Sequence, residues 1–190
     1  MKIFLETERM ILRQFTEKDA QNIFELDGDP EVMRFLTNGR GTSMDTIKDK
    51  ILPHTFEFYE NHDHFGYWAV DEKLSGKFIG WFLFRPDKEE PNNFDKIELG
   101  YRLKKSAWGK GFATEGSKVF LEKGFRNWKV NYIFAVTLLE NIGSQRVMQK
   151  IGLNLEKEFI EPLELLPDFP SEEERKAVWY SQTRDEYLKL

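Results

Sequence analysis

The spacing of hydrophobic residues switches several times along the chain between a period of two and a helical period. Residues 5–14 alternate and predict a first strand, with Met10 and Leu12 on one face. Further strand-like runs of apolar and aromatic residues cover approximately 67–70, 78–84, 96–103, 132–137, 155–159 and 178–183. The pattern therefore predicts about seven strands.

Helical spacing fills the stretches between these strands. Thr16, with Asp19 three residues later, predicts a capped helix that stops near Pro30. A serine cap predicts a second helical region over residues 43–61, which Pro53 breaks or kinks.

Two more helices are predicted in the second half, over about residues 114–127 and 143–151, and Gly152 follows the latter as a favoured helix end. This order of elements predicts an α/β (α+β) fold, in which helices flank one mixed, mostly antiparallel sheet. The chain carries no internal repeat or long Gly/Ser linker, so residues 1–190 are expected to form a single domain.

Composition restricts the possible functions. The chain has no Cys, which excludes disulfides, thiolate metal sites and a cysteine nucleophile. Its net charge is −5, from 28 Lys+Arg and 33 Asp+Glu, so we expect no nucleic-acid partner. The N-terminus lacks an apolar signal segment and no apolar stretch approaches about 18 residues, so we expect a cytoplasmic protein without a membrane partner.

Candidate chemistry concentrates in residues 97–116, where a strand leads through a glycine-bearing loop into a helix. Gly109 and Gly111 permit positive φ and let backbone amides face outward. The helix start adds unpaired N–H groups and partial positive charge, a combination that suits a pyrophosphate. A tight strand-to-helix turn without a ligand is the alternative, because an isolated Gly-x-Gly is weak evidence.

A second segment, residues 141–153, predicts a short capped amphipathic helix. Asn141 is the expected cap, and Ser144 falls in the first turn with its hydroxyl near the helix start. Each residue alone indicates only a capped helix. The informative feature is that the two segments occur in this order, separated by one strand.

Together the two segments resemble the GNAT superfamily of acyl-CoA-dependent N-acyltransferases, and most of all its RimJ/RimL-type branch of ribosomal-protein N-terminal acetyltransferases. The matching motifs are Trp-Gly-Lys-Gly-Phe-Ala-Thr-Glu at 108–115 and Asn-x-x-Ser-x-Arg-Val-x-x-Lys-x-Gly at 141–152, with similar residues at 5–13 and 178–187. The resemblance implies a twisted sheet that splays between the fourth and fifth predicted strands. It also implies acetyl-CoA as co-substrate, an amine acceptor and no metal.

The resemblance further implies roles for individual residues. Backbone amides of the loop would hold the pyrophosphate, at Trp108, Gly109, Lys110, Gly111, Phe112, Ala113 and Thr114. The end of the fourth predicted strand would contact the pantetheine arm, at Tyr101, Arg102 and Leu103. Asn141 would hydrogen-bond the same arm.

Two positions depart from the family pattern. Ser106 stands where the loop usually begins with Gln or Arg, and Met148 stands where many members carry a tyrosine acid. Ser144 is therefore the expected contact to the cofactor sulfur. Glu98 on the fourth predicted strand is the expected base for the attacking amine, directly or through a water, unless it is simply a paired strand carboxylate.

Several alternatives stay open. A non-catalytic acyl-CoA-binding or sensor protein on the same fold is the alternative function. The acceptor is expected to be a protein N-terminus or a small amine such as a polyamine or an aminoglycoside. Its site is expected to be built from the first helices and the loops near residues 30–45 and 160–175. His62 and His64 are more typical of solvated side chains than of metal ligands. The oligomeric state is monomer or homodimer.

Overall fold

A single eight-stranded sheet organises the computed structural model, which describes residues 2–189. The strands are β1 (Ile3–Glu6), β2 (Met10–Arg13), β3 (Gly66–Glu72), β4 (Phe78–Pro86), β5 (Lys96–Leu103), β6 (Tyr132–Leu138), β7 (Asn154–Ile160) and β8 (Lys176–Thr183). Their order across the sheet is β1-β2-β3-β4-β5-β6-β8-β7, and β5–β6 is the parallel pair among antiparallel neighbours. The predicted mixed, mostly antiparallel sheet is confirmed.

Helices cover both faces of this sheet. They are α1 (Ala20–Asp27), α2 (Pro30–Thr37), α3 (Met44–Thr46), α4 (Leu52–Asn61), α5 (Phe112–Glu122), α6 (Ile142–Lys150) and α7 (Arg184–Tyr187). A π-helical turn, Ile47–Ile51, joins α3 to α4 just before Pro53, where the missing proline N–H interrupts regular helix. None of the helices described combines the length and apolar character of a membrane-spanning segment.

The first predicted strand is wrong in its extent, because residues 5–14 do not form one strand. A turn at residues 7–9 divides the region into β1 and β2, and the Thr7 N–H donates to the Met10 carbonyl at 2.9 Å. This division raises the strand count from about seven to eight. The predicted face is nevertheless confirmed, since Met10 and Leu12 are both fully buried.

The predicted stop of the first helix near Pro30 is confirmed, since α1 ends at Asp27. The pattern did not predict that Pro30 itself begins a further helix, α2. The Asp29 carboxylate accepts a hydrogen bond from the Glu31 N–H at 2.9 Å and so caps this helix. Proline is well tolerated at the first helical position, where its missing N–H would lack a partner in any case. The predicted Thr16–Asp19 capping box is present at the start of the first helical segment.

The pleat of β5 divides its side chains between the two faces of the sheet. Ile97, Leu99 and Leu103 are buried in the core beneath α5, together with Phe120. Arg102 lies on the opposite face, across from Trp81, which packs against the core beneath α1. One strand therefore supplies side chains to both sides of the sheet.

β5 and β6 separate partway along their length. They pair at three positions, the last being Glu98 with Phe134, yet β5 continues to Leu103 and β6 to Leu138. This is the predicted splay between the fourth and fifth predicted strands. The gap opens toward the glycine-bearing loop and the start of α6, because both of these follow the separating strand ends.

Close packing of α5 on β4 holds that loop in place, and it depends on Gly116. A Cβ at Gly116 would lie 2.3 Å from Cζ of the fully buried Phe82. We expect Gly116→Ala to lower the free energy of unfolding by about 1–2 kcal/mol, because overpacking outweighs the gain in helix propensity.

Denaturant unfolding followed by circular dichroism measures this change. The matched control is Gly143→Ala in the exposed first turn of α6, where the Asn141 side-chain oxygen at 3.6 Å is the neighbour of the added Cβ. That variant should be unchanged or slightly more stable. Equal stability of both variants would contradict the proposed crowding at Gly116.

Candidate active site

Residues 108–114, here termed the glycine loop, follow the 3-10 turn Lys105–Ala107 that leaves β5, and they include the first residues of α5. Gly109 and Gly111 have φ of 72° and 85°, so both use the left-handed conformation that glycine permits. Gly111 caps α5, which begins at Phe112, two residues earlier than expected. A Cβ at Gly109 would meet nothing within 4 Å, so backbone conformation rather than crowding requires this glycine.

The glycine loop exposes a run of unpaired backbone donors. Within residues 2–189, the N–H groups of residues 109–114 donate to neither a backbone carbonyl nor a side chain. A helix start ordinarily leaves its first N–H groups unpaired, and here the loop extends that run. The arrangement suits an anion with several oxygens.

Two side chains of the glycine loop anchor it to the rest of the protein. The Trp108 indole N–H donates to the Leu103 carbonyl at 2.8 Å, and Phe112 is buried in the core. Lys110 forms no ion pair with any described residue, and with Lys104 it borders a cavity of about 760 Å³. The backbone amides and the Lys110 ammonium are therefore the parts of the loop that are available to a ligand.

Ser144 and Tyr101 meet across the splay. The Tyr101 hydroxyl lies 2.9 Å from Ser144 Oγ and 3.3 Å from the Ser144 carbonyl. Burial raises the pKa of Tyr101 to about 12, against the opposite effect of its hydrogen bond to Ser144, so the phenol stays protonated. Asn141 Oδ1 accepts from the Ser144 N–H at 3.1 Å, which confirms the predicted cap.

The absent family tyrosine has a structural counterpart. Met148, at the position where many family members carry tyrosine, is buried in the core. The phenol of Tyr101 nevertheless reaches the first turn of α6 from β5. The structure thus brings a hydroxyl pair together at a point where the sequence suggested Ser144 alone.

Arg102 points away from the splay. Its guanidinium donates to the buried Asp27 at 2.5 Å and lies 4.9 Å above the Trp81 ring. We use the term acceptor face for the sheet face opposite α5. The Arg102 side chain is held on this face by Asp27 and Trp81. Its backbone still belongs to the end of β5.

Glu98 lies on the acceptor face and is paired. Arg85, directly opposite on β4, donates to Glu98 Oε2 from Nη2. The Arg85 side chain is 7% exposed and that of Glu98 22%. The Arg85 Nε–H has no partner among residues 2–189.

Glu161 is a second carboxylate on this side that the sequence analysis missed. Burial raises the pKa of Glu161, and this effect exceeds the lowering by the Lys88 charge, while the charges of Glu98 and Glu89 add smaller increases. Its side chain forms neither an ion pair nor a hydrogen bond within residues 2–189. Arg175 fixes its backbone through two hydrogen bonds, of 2.9 and 3.0 Å.

The two segments expected to border the acceptor are in contact. Arg40 Nε donates to Asp168 Oδ1 at 3.1 Å, and Asn38 Nδ2 donates to the Asp168 carbonyl at 3.3 Å. Phe35 of α2 packs against the cluster that contains Phe169. Residues 30–45 and 160–175 therefore form one wall.

The histidines serve aromatic packing. His62 lies 4.7 Å from the Phe94 ring, and His64 stacks on Trp128 at 4.9 Å. Within residues 2–189 no three His, Asp or Glu side chains come together in a way that suits a metal ion.

Comparisons with known proteins agree with this geometry. Residues 9–154 match the family model described as an acetyltransferase (GNAT) domain. The chain is 30% identical over 192 residues to the FsC-acetyl coenzyme A-N(2)-transacetylase of Aspergillus fumigatus, covering 98% of this chain and 78% of that protein.

Two solved structures share the fold at lower identity. One is the ribosomal-protein-S5-alanine acetyltransferase of Vibrio fischeri (TM-score 0.74, 19% identity, 96% of this chain and 97% of that one). The other is the Vibrio cholerae spermidine N-acetyltransferase in complex with CoA and spermine (TM-score 0.73, 17% identity, 94% and 98%). The family match spans more than half of the residues, so the chain belongs to the acetyltransferase (GNAT) family and is an N-acetyltransferase.

Proposed function

We propose that the protein transfers an acetyl group from acetyl-CoA to a primary amine, by direct attack within a ternary complex. The observation that carries this proposal is the run of unpaired N–H groups at residues 109–114, beside a splayed pair of strands. The name of the Aspergillus fumigatus relative specifies acetyl coenzyme A and a nitrogen acceptor, which supports the same chemistry. The continuous sheet supports the interpretation of residues 1–190 as one domain.

The acceptor is proposed as a protein N-terminus or a small amine. Fold neighbours include an enzyme named for the alanine of a ribosomal protein and another named for spermidine. The first of these is consistent with the RimJ/RimL-type branch, which we retain as the finer hypothesis. The wall formed by residues 30–45 and 160–175 is the expected determinant of the choice.

Binding and activation are divided between backbone and side chains. Acetyl-CoA supplies the thioester-linked acetyl group. The glycine-loop amides of residues 109–114, which lack acceptors within residues 2–189, are proposed to bind its diphosphate. Asn141 and the end of β5 border the splay and are proposed to contact the pantetheine arm. A backbone N–H of the separated β5–β6 edge is the proposed oxyanion donor.

Ser144 is proposed to donate a hydrogen bond to the departing sulfur. Its hydroxyl lies at the start of α6, where the helix dipole favours developing negative charge. Tyr101, which stays protonated, can donate to Ser144 Oγ and so leave the serine proton free for the sulfur.

Two carboxylates compete for the role of base. The resemblance favours Glu98, but Arg85 already occupies Glu98 Oε2. Glu161 has no such partner, and a raised pKa brings a carboxylate closer to the value that an effective base needs. We therefore propose Glu161 as a base alongside Glu98, either of them acting directly or through a water.

Gly111→Glu tests the anion site. A carboxylate there would meet the diphosphate, and we expect calorimetry to detect no CoA binding. Because φ at Gly111 is 85°, any side chain strains the loop, so Gly111→Gln is the matched control for strain. We expect Gly111→Gln to bind CoA more tightly than Gly111→Glu, and equal affinities would contradict the placement.

Ser144→Ala tests the proposed contact to the sulfur. We expect kcat to fall roughly 10²-fold, as for loss of a general acid, with the Kd of CoA changed less than threefold. Release of coenzyme A thiol and calorimetry measure the two quantities. An unchanged kcat would remove Ser144 from the mechanism.

Glu161→Gln and Glu98→Gln distinguish the two bases. The working base must be ionised, so kcat/KM of the wild type should decrease as pH falls through its pKa, which for Glu161 lies above the ordinary carboxyl value. Replacing it should lower kcat/KM about 10²-fold and abolish the acidic limb.

The matched control for these variants is Glu122→Gln, at the exposed end of α5. It should retain both the rate and the pH profile. If Glu161→Gln keeps the full rate and the decrease of kcat/KM at low pH, Glu161 is excluded as the base. The same result for Glu98→Gln excludes Glu98.

A further inference from the structure

The turn between β1 and β2 is docked on the glycine loop through Arg9. Arg9 Nη1 donates to the Lys110 carbonyl at 2.9 Å, and Arg9 Nε donates to Glu115 Oε2 at 2.6 Å. The Arg9 backbone N–H donates to the other Glu115 oxygen at 3.0 Å. The guanidinium also lies 4.5 Å above the Phe112 ring.

We propose that Arg9 is a positioning residue that prepares the glycine loop for an anionic, diphosphate-bearing ligand. This inference rests on the proposed function of the loop and deepens it. Arg9 is far from the loop in sequence. Its role follows from two contacts, with the Lys110 carbonyl and with Glu115, and from one guanidinium donor that makes no hydrogen bond within residues 2–189.

The first contact orients a backbone donor. In a trans peptide the carbonyl and the following N–H point in opposite directions. Arg9 holds the Lys110 carbonyl on its own side, so the Gly111 N–H is turned away from it. That N–H belongs to the run without an acceptor among the described residues. Without Arg9, the peptide between Lys110 and Gly111 could rotate, and the N–H groups would no longer point toward the same ligand.

The second contact controls charge. Glu115 lies in the first turn of α5, where its carboxylate would repel a diphosphate. Burial acts to raise the pKa of Glu115, but hydrogen bonds from Thr7 and Arg9 outweigh burial and lower it, so the carboxylate is ionised. The Arg9 charge offsets this carboxylate and leaves the helix start electropositive.

The third observation is a remaining donor. Arg9 Nη2 makes no hydrogen bond within residues 2–189, and it lies 3.4 Å from the position of a Cβ on Gly111. The Arg9 side chain is 42% exposed, so this edge of the guanidinium faces solvent beside the glycine loop.

The test compares a ligand that has the diphosphate with one that lacks it. For Arg9→Ala we expect the Kd of CoA to rise at least about tenfold, which corresponds to about 1.4 kcal/mol. The kcat/KM for S-acetylpantetheine, which carries no diphosphate, should change less than twofold. Arg9→Lys keeps the charge without the forked donor geometry and should show an intermediate loss of CoA affinity.

A second pair of variants separates charge from geometry. Glu115→Gln should bind CoA as tightly as the wild type or more tightly, and Arg9→Ala combined with Glu115→Gln should recover part of the lost affinity. Lys118→Ala, on the exposed face of the same helix, is the control for a general loss of positive charge and should match the wild type. Thermal unfolding verifies that each variant is folded.

The positioning role would be overturned if Arg9→Ala lowered the affinity for CoA and the kcat/KM for S-acetylpantetheine by equal factors, or if it lowered neither. If the wild-type protein binds CoA and the Arg9 variants behave in this way, the proposed function still holds and only the role of Arg9 is excluded. A wild type that does not bind CoA at all would overturn both.

Discussion

Unpaired backbone donors at the start of α5 are the constraint on which the rest of the site depends. A helix start always leaves N–H groups without intrahelical partners, and Gly109 and Gly111 extend that run into the loop by adopting positive φ. Every neighbouring element keeps this run open. Phe112 is buried in the core, the half-exposed Trp108 donates its indole N–H to the Leu103 carbonyl, and Arg9 binds the carbonyl of Lys110, between the two glycines. The proposed ligand surface therefore consists mainly of main chain, with the Lys110 ammonium and the Arg9 guanidinium beside it.

The second organising feature is the place where β5 and β6 separate. Up to Glu98 the two strands share hydrogen bonds, and beyond it their edges are free. Because side chains alternate along β5, Tyr101 reaches Ser144 on one side while Glu98 meets Arg85 on the other. A single strand thus places the proposed leaving-group contact and a candidate base on opposite faces of the sheet, beside the splay.

The sequence predicted those features that depend on interactions between residues close together in the chain. The Thr16–Asp19 box, the Asn141 cap and the two glycines each act within a few residues, so their spacing alone identified them. Contacts over long range had no such signal. The pairing of Arg9 with Glu115 joins residues 106 positions apart, and Glu161 follows the exposed strand β7 without a helical or strand-like pattern of its own. Pro30 correctly marked the end of α1, but proline also begins helices, and the start of α2 at this residue was missed.

The proposed binding of a diphosphate is compatible with an acidic protein. The net charge of −5 argues against broad contact with a polyanion, which samples the field of the whole surface. Exposed charges are screened beyond roughly 8–10 Å at physiological salt, so a compact ligand responds mainly to the groups that it touches. At the glycine loop those groups are amides, a helix start, the Lys110 ammonium and a guanidinium whose charge balances Glu115. Local geometry, and not overall composition, therefore decides which anion this protein can hold.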